Sequence, residues 1–228
     1  MTKSVILKVD NLTKTFKQGK INICVLEDIS LSVKKGEVIA LVGPSGCGKT
    51  TLLQILGLLD RPDHGQIIIN NINYNDKSDS IKTKCRLENL GFIYQAYNLL
   101  SDFTAIENCM MPLLIANISR KTAKAQATEI LSILGLEQRV NHYPSQLSGG
   151  EQQRVAIARS LIHKPSLVLA DEPTGNLDQE NAKKVINLLI ETSRKMQTSL
   201  IIVTHNLEIV KNVDRILTIN NAKIISKK

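Results

Sequence analysis

Tryptophan is absent and aromatic residues make up only 3% of the 228 residues, so aliphatic side chains have to pack the core. No apolar stretch approaches the roughly 18–20 residues a membrane-spanning helix needs. The opening residues, Met1-Thr2-Lys3-Ser4-Val5, run straight into polar–apolar alternation, without the apolar core of a signal peptide. The expected location is therefore the cytosol, unless a partner holds the chain at a membrane. The cysteines Cys24, Cys47, Cys85 and Cys109 are far apart, with no C-x-x-C pair and no histidine at metal-ligand spacing. That pattern predicts reduced thiols rather than disulfides or a zinc site. The net charge of +8 comes without aromatic stacking platforms. Its longest basic cluster, Arg120-Lys121 through Lys124, heads a predicted helix and reads as a solvated face, aided by anionic lipid nearby; no nucleic-acid partner is expected.

What is present suits one domain, or one domain with an inserted lobe: 43% of the residues are apolar. Val5, Leu7 and Val9 alternate with polar residues, as do Ile29, Leu31 and Val33, and both runs read as half-buried strands. Val38–Val42 is continuously apolar, the pattern of a fully buried strand. A helix is expected over Thr51–Leu59, and a strand at Gln66–Ile69 between turns marked by Pro62, Gly65 and Asn70-Asn71. From Ala96 to Gln146 the signals are mainly helical. Ala123, Ala127, Ile130, Leu131 and Leu134 share one face, with Gly135 placed to stop the helix. Beyond Gly149, helix and strand alternate again: a helix to Ile162, the strand Leu167–Ala170, a helix over Glu180–Met196, the strand Leu200–Thr204 and two short strands at Arg215–Ile219 and Lys223–Ser226. Strands separated by helices imply parallel βαβ units, and the interrupting helical block implies a lobe set into an α/β core. The division expected is a core of about 1–95 and 147–228, with a helical lobe of 96–146.

Three segments carry chemistry. Gly43-Pro44-Ser45-Gly46-Cys47-Gly48-Lys49-Thr50 fits the phosphate-loop pattern G-x-x-x-x-G-K-[ST] between a strand and a helix. Its glycines let backbone N–H groups turn onto phosphates, and the following helix adds its positive end; Thr51 lies in that first turn. Lys49 supplies a cation and Thr50 a hydroxyl for Mg2+. Cys47, inside the loop, is a chemical liability rather than a catalyst. Leu167–Asp171 is a buried strand delivering Asp171 to the sheet edge to orient Mg2+, followed by Glu172 to polarise an attacking water. Ser148-Gly149-Gly150-Glu151 opens another helix and forms a second anion site. One triphosphate has little use for two helix ends from a single compact subunit. The arrangement predicts two copies, each offering its second helix end to the other's ATP. His64, His142 and His163 fall in turn-like or surface contexts and are given no role.

Over nearly its whole length the chain resembles an ATP-binding cassette (ABC) ATPase. The fold this implies is a P-loop α/β core, mostly a parallel sheet flanked by helices, with an N-terminal antiparallel β part and an inserted α-helical lobe. By resemblance, Gly43–Thr50 is the Walker A motif, Leu147–Gln152 the signature, Leu167–Asp171 the Walker B strand and Glu172 the catalytic glutamate. Gln95 matches the Q-loop glutamine that senses Mg2+ and the attacking water. Asn176-Leu177-Asp178 is similar to the D-loop, which reaches across the dimer. His205 is similar to the switch histidine at the γ-phosphate, and Phe16 to the aromatic that stacks on adenine, where tyrosine is more usual. The resemblance implies a homodimer that hydrolyses ATP with Mg2+ at the cytoplasmic face of an inner membrane, peripheral to integral permease subunits. Tyr97, Leu99, Leu100 and Phe103 are candidates for docking those subunits. Leu90–Gln95, Leu99–Asn108, Met111–Ile115 and Ala170–Asp178 look most like the lipoprotein-releasing branch of the family. The last segment is shared with macrolide exporters and cell-division ATPases, so a drug or peptide exporter is the alternative, and a soluble regulatory cassette a further one.

Overall fold

The computed structural model describes residues 4–204 and 209–227. Two sheets form the framework. The first is antiparallel, built on a long hairpin of β1 (Val5–Gln18) and β2 (Ile21–Lys34), joined by β4 (His64–Ile69) and β5 (Ile72–Asn73). The hairpin is far longer than the alternation at its ends suggests. Register shifts interrupt it, and Asn11 and Asp28 take positive φ at the irregular stretch, where the Asn11 amide donates to the Asp28 carboxylate at 2.6 Å. Such bulges break the period-2 pattern that a sequence reading follows. One shift falls between Val5 and Leu7, and Val5 is exposed while Ile6 and Leu7 are buried.

The second sheet has the order β10–β9–β3–β8–β7–β6. Here β3 is Val38–Val42, β6 Leu90–Ile93, β7 Leu167–Asp171, β8 Ser199–Val203, β9 Arg215–Asn220 and β10 Lys223–Lys227. All its pairings are parallel except the terminal β9–β10 hairpin. Its central strands are buried on both faces, as a parallel sheet requires. Successive residues divide between two cores. Val38, Val168, Ala170, Leu200 and Ile202 face a helical layer. Ile39, Leu41, Leu167, Leu169, Ile201 and Val203 face the antiparallel sheet and helix α1 (Lys49–Leu56), which lies between the two sheets.

The helical layer consists of α3 (Ala105–Ile115), α4 (Arg120–Ile133), α5 (Gly149–Leu161) and α6 (Gln179–Lys195). The predicted α4 face is the buried one, and Gly135 has φ +68 just past its end. Two expectations change. Helix α1 starts two residues earlier than the pattern indicated, because Gly48 in the left-handed region caps it, and it ends three earlier at Leu56, with Gly57 as its C-cap and Leu58 at φ +56 beyond. Helix α2 (Asp79–Asn89) carries no apolar stripe that a periodicity reading could detect; only Lys82 and Cys85 are buried on it. No helix among the described residues is long and apolar enough to cross a membrane.

Candidate functional site

Strands β3, β6, β7 and β8 end at the same sheet edge, so the loops leaving them converge. In open α/β sheets this carboxyl edge is where ligands bind. Gly43–Gly48 leaves β3, and the glycines at its two ends are forced by crowding. A Cβ on Gly43, at φ +155, would lie 2.6 Å from the Ile219 carbonyl oxygen; one on Gly48, at φ +101, would lie 2.8 Å from that of Val25. Gly46 also has positive φ, with open space beside it, and Pro44 and Ser45 are exposed. Lys49 is buried, yet its ammonium curls back to donate to the carbonyls of Gly43 (3.0 Å) and Pro44 (2.8 Å). The cation is thereby fixed at the centre of the loop, and the Cys47 sulfur lies 3.9 Å from it.

Asp171 ends β7, and its carboxylate is hydrogen-bonded to the Thr50 hydroxyl. Burial raises the Asp171 pKa above the ordinary carboxylate range; Thr50 opposes this, the Glu172 charge adds to it and Lys49 opposes it. A carboxylate held in that condition gains from a cation. The Thr50 hydroxyl and Asp171 carboxylate are hard-oxygen donors of the kind Mg2+ takes. Among the described residues no three His, Cys, Asp or Glu side chains group as a metal site. A cleft of about 100 Å3 starts at Thr50 and Asp171 and runs past Leu53, Phe92 and Tyr94 to Leu59.

Glu172 has φ +44, a left-handed conformation rare for a residue with a side chain. Its N–H donates to the Val203 carbonyl (3.0 Å), and its carbonyl accepts from the Gly175 N–H (3.0 Å). Thr204, at the end of β8, is tied to Leu41 through its N–H (3.2 Å). His205 lies outside the described residues.

The stretch after β6 carries Gln95. Its Nε2 donates to the Asn176 Oδ1 at 3.3 Å, and the Asn176 Nδ2 donates to the Gln95 carbonyl at 2.9 Å. Further along, the carbonyls of Tyr97 and Asn98 accept from the Arg159 guanidinium (3.0 and 2.6 Å). Neither clamp is visible in local sequence. A hint of the second was an arginine inside the apolar run Val155–Leu161. Tyr97 and Leu99 are half-buried, with Leu99 packed on the helix-side core, whereas Leu100 and Phe103 are exposed.

Ser148 caps α5 in a reciprocal box. Its hydroxyl accepts from the Glu151 N–H (3.3 Å), and the Glu151 carboxylate accepts from the Ser148 N–H (2.8 Å). Arg139 pairs with Glu151 at 2.9 Å. That pairing, with the Ser148 N–H, lowers the Glu151 pKa to about 2. A Cβ on Gly149 would meet the Tyr97 hydroxyl (2.9 Å) and Leu177 (3.3 Å), whereas one on Gly150 would touch only the Arg154 guanidinium, at 3.8 Å. Asp178 caps α6, accepting from the Asn181 N–H (3.0 Å), and that bond lowers its pKa. Thr51, in the first turn of α1, is half-buried. Phe16 lies exposed on β1 with the Lys14 ammonium 5.2 Å above its ring.

His163 lies in the turn after α5 and is half-buried: its Nε2 contacts the Leu90 carbonyl at 3.0 Å, and burial lowers its pKa. It anchors α5 to β6 and stays outside the site.

Comparisons with known proteins bear on the family and the fold. The family model described as ABC transporter matches residues 26–175. The lipoprotein-releasing system ATP-binding protein LolD of Legionella pneumophila (strain Lens) is 45% identical over 223 residues, 98% of each chain. The protein of the same name from Rickettsia felis is 50% identical over 213 residues, 93% of this chain and 94% of that one. Among solved structures, the ATP-binding cassette MJ0796, dimeric in a post-hydrolysis state with ADP and Pi, superposes with a TM-score of 0.89 at 38% identity, covering 98% of both chains.

Proposed function

This chain belongs to the ABC transporter family and is an ATPase that binds ATP, and from that premise we propose that it powers release of lipoproteins from an inner membrane. In this reading it works at the cytoplasmic face as a homodimer bound to integral permease subunits. The support for the cargo is identity of 45–50% to lipoprotein-releasing ATPases over nearly the full chain. The support for pairing is likeness, at 38% identity over 98% of both chains, to a cassette solved as a dimer.

Each residue then has a task. The N–H groups of Gly43–Thr50 and the Lys49 ammonium hold the phosphates, and Phe16 presents a face to the base. Thr50, Asp171 and Gln95 hold Mg2+, which neutralises phosphate charge when bound. Glu172 orients the attacking water, and His205 contacts the γ-phosphate. Ser148 and Gly150, at the start of α5, close over the partner's nucleotide, with Gly149 and Glu151 shaping that end. Asp178 lies where the two copies face each other. Residues 96–146 act as a lobe receiving the permease, with Leu100 and Phe103 as its exposed contacts. ATP can drive this cycle only because the closed dimer binds it more tightly than the open one does.

The test is reconstitution. Membrane subunits co-purified with the chain, placed in liposomes with a lipoprotein, should transfer it to a soluble acceptor on addition of ATP, and Glu172→Gln should stop transfer. Co-purified subunits that leave lipoprotein in place while drugs or peptides stimulate turnover would move the protein to the exporter reading.

A further inference from the structure

The contact between Gln95 and Asn176 joins residues 81 positions apart and has a direction built into it. A main-chain carbonyl can only accept. The bond from the Asn176 Nδ2 to the Gln95 carbonyl at 2.9 Å therefore fixes which end of the asparagine amide is the donor. The Asn176 Oδ1 is then the end turned to the glutamine side chain, and only an N–H can meet it. The Gln95 Nε2 takes that place at 3.3 Å. With nitrogen committed to Asn176, Oε1 is the end of Gln95 left for a cation or a water. Without such a partner, a glutamine amide turns either end forward, and one of the two orientations offers donors where an acceptor is needed.

The surroundings are shaped for this contact. Gly175 lies against the glutamine amide: a Cβ there would sit 2.8 Å from Nε2. The Gly175 N–H is bonded to the Glu172 carbonyl, so the same turn carries Asn176 and Glu172. The next residue, Leu177, packs beside Gly149 at the start of α5.

We infer that Asn176 is a positioning residue of the ATPase reaction: it sets the Gln95 amide with its carbonyl oxygen available to the nucleotide's divalent cation. It acts through Gln95 and touches no reacting atom. The inference rests on Thr50, Asp171 and Gln95 being the Mg2+ site.

The experiment uses Mn2+ as the probe, with the full chain carrying Glu172→Gln to suppress turnover and ATP bound. Free Mn2+ is followed by electron paramagnetic resonance. Asn176→Leu keeps the side-chain size and removes both hydrogen bonds; Asn176→Ala is the second variant, should leucine disturb folding. Loss of one oriented contact should weaken Mn2+ binding by about 3–10-fold. ATP affinity measured without metal should stay level. In a Gln95→Ala background the same substitution should have no further effect, because its only route is gone. An unchanged Mn2+ affinity in Asn176→Leu and Asn176→Ala, beside a weakened Gln95→Ala, overturns this inference alone. An undiminished loss in the Gln95→Ala background also overturns it, leaving Asn176 as a structural staple. A Gln95→Ala variant that binds Mn2+ normally overturns the metal-site reading, and this inference with it.

Discussion

Two helix starts in this molecule bring glycine, a hydroxyl and a helix dipole together, and they are built on opposite plans. At Gly43–Thr50 two of the glycines, Gly43 and Gly48, answer to crowding within the subunit, and the Lys49 cation is buried and held by the loop's own carbonyls. At Ser148–Glu151 the hydroxyl is engaged in a capping box, the Glu151 carboxylate is paired with Arg139, and a Cβ on the buried Gly150 would meet the Arg154 guanidinium only at 3.8 Å. The first start leaves no room beside Gly43 and Gly48, and the second leaves some beside Gly150. In the proposed head-to-tail dimer it is this second start that meets the partner's nucleotide.

Four experiments would sharpen or break this contrast. The largest effect is expected at Glu172, beside the self-contained site: Glu172→Gln should lower turnover by about 10²–10⁴-fold while ATP binding persists. Next, Lys49→Ala should weaken ATP binding by the isolated chain about 10–100-fold, the value of hydrogen bonds from a charged group. Gly150→Val should leave that binding level and remove turnover only of the dimer; equal damage to isolated-chain binding would collapse the distinction. Third, mixed dimers of Lys49→Ala with Gly150→Val place both lesions in one composite site and leave the other whole. Nucleotide trapping by the mixed dimer, absent from either variant alone, is the expected result.

The smallest effect concerns Glu151. Its folded pKa of about 2 lies below its unfolded value. The carboxylate therefore stabilises the fold above roughly pH 4.5 and loses that contribution as pH falls toward 2. Glu151→Gln should lower thermal stability by under about 1 kcal/mol at neutral pH. The difference from wild type should be flat from about pH 8 to 5 and vanish between about 4.5 and 2. A difference that persisted in acid would assign the contribution to the box alone rather than to its charge.

Features written in contiguous residues were legible beforehand. The phosphate loop, the buried strands β3 and β7 and the apolar face of α4 each follow from a local pattern. The hairpin β1–β2 did not, because its bulges at Asn11 and Asp28 break alternation where the strands pair for longest. Helix α2 was missed because a helix with almost no apolar stripe leaves no periodicity. His163 reads as a turn residue and is one, but nothing in residues 161–164 announces its contact with the Leu90 carbonyl. The Gln95–Asn176 and Arg159–Tyr97 contacts are products of topology. Sheet order brings their segments together, and no residue near either partner signals the other.

The left-handed backbone at Glu172 has an evolutionary consequence. Holding a side-chain-bearing residue at φ +44 costs on the order of 1 kcal/mol, which glycine would not incur. In the proposed role of Glu172, the sequence best for durability and the sequence best for turnover differ at this position. Drift toward a sturdier protein would then pass through glycine here and arrive at a well-folded subunit that grips its fuel and cannot burn it.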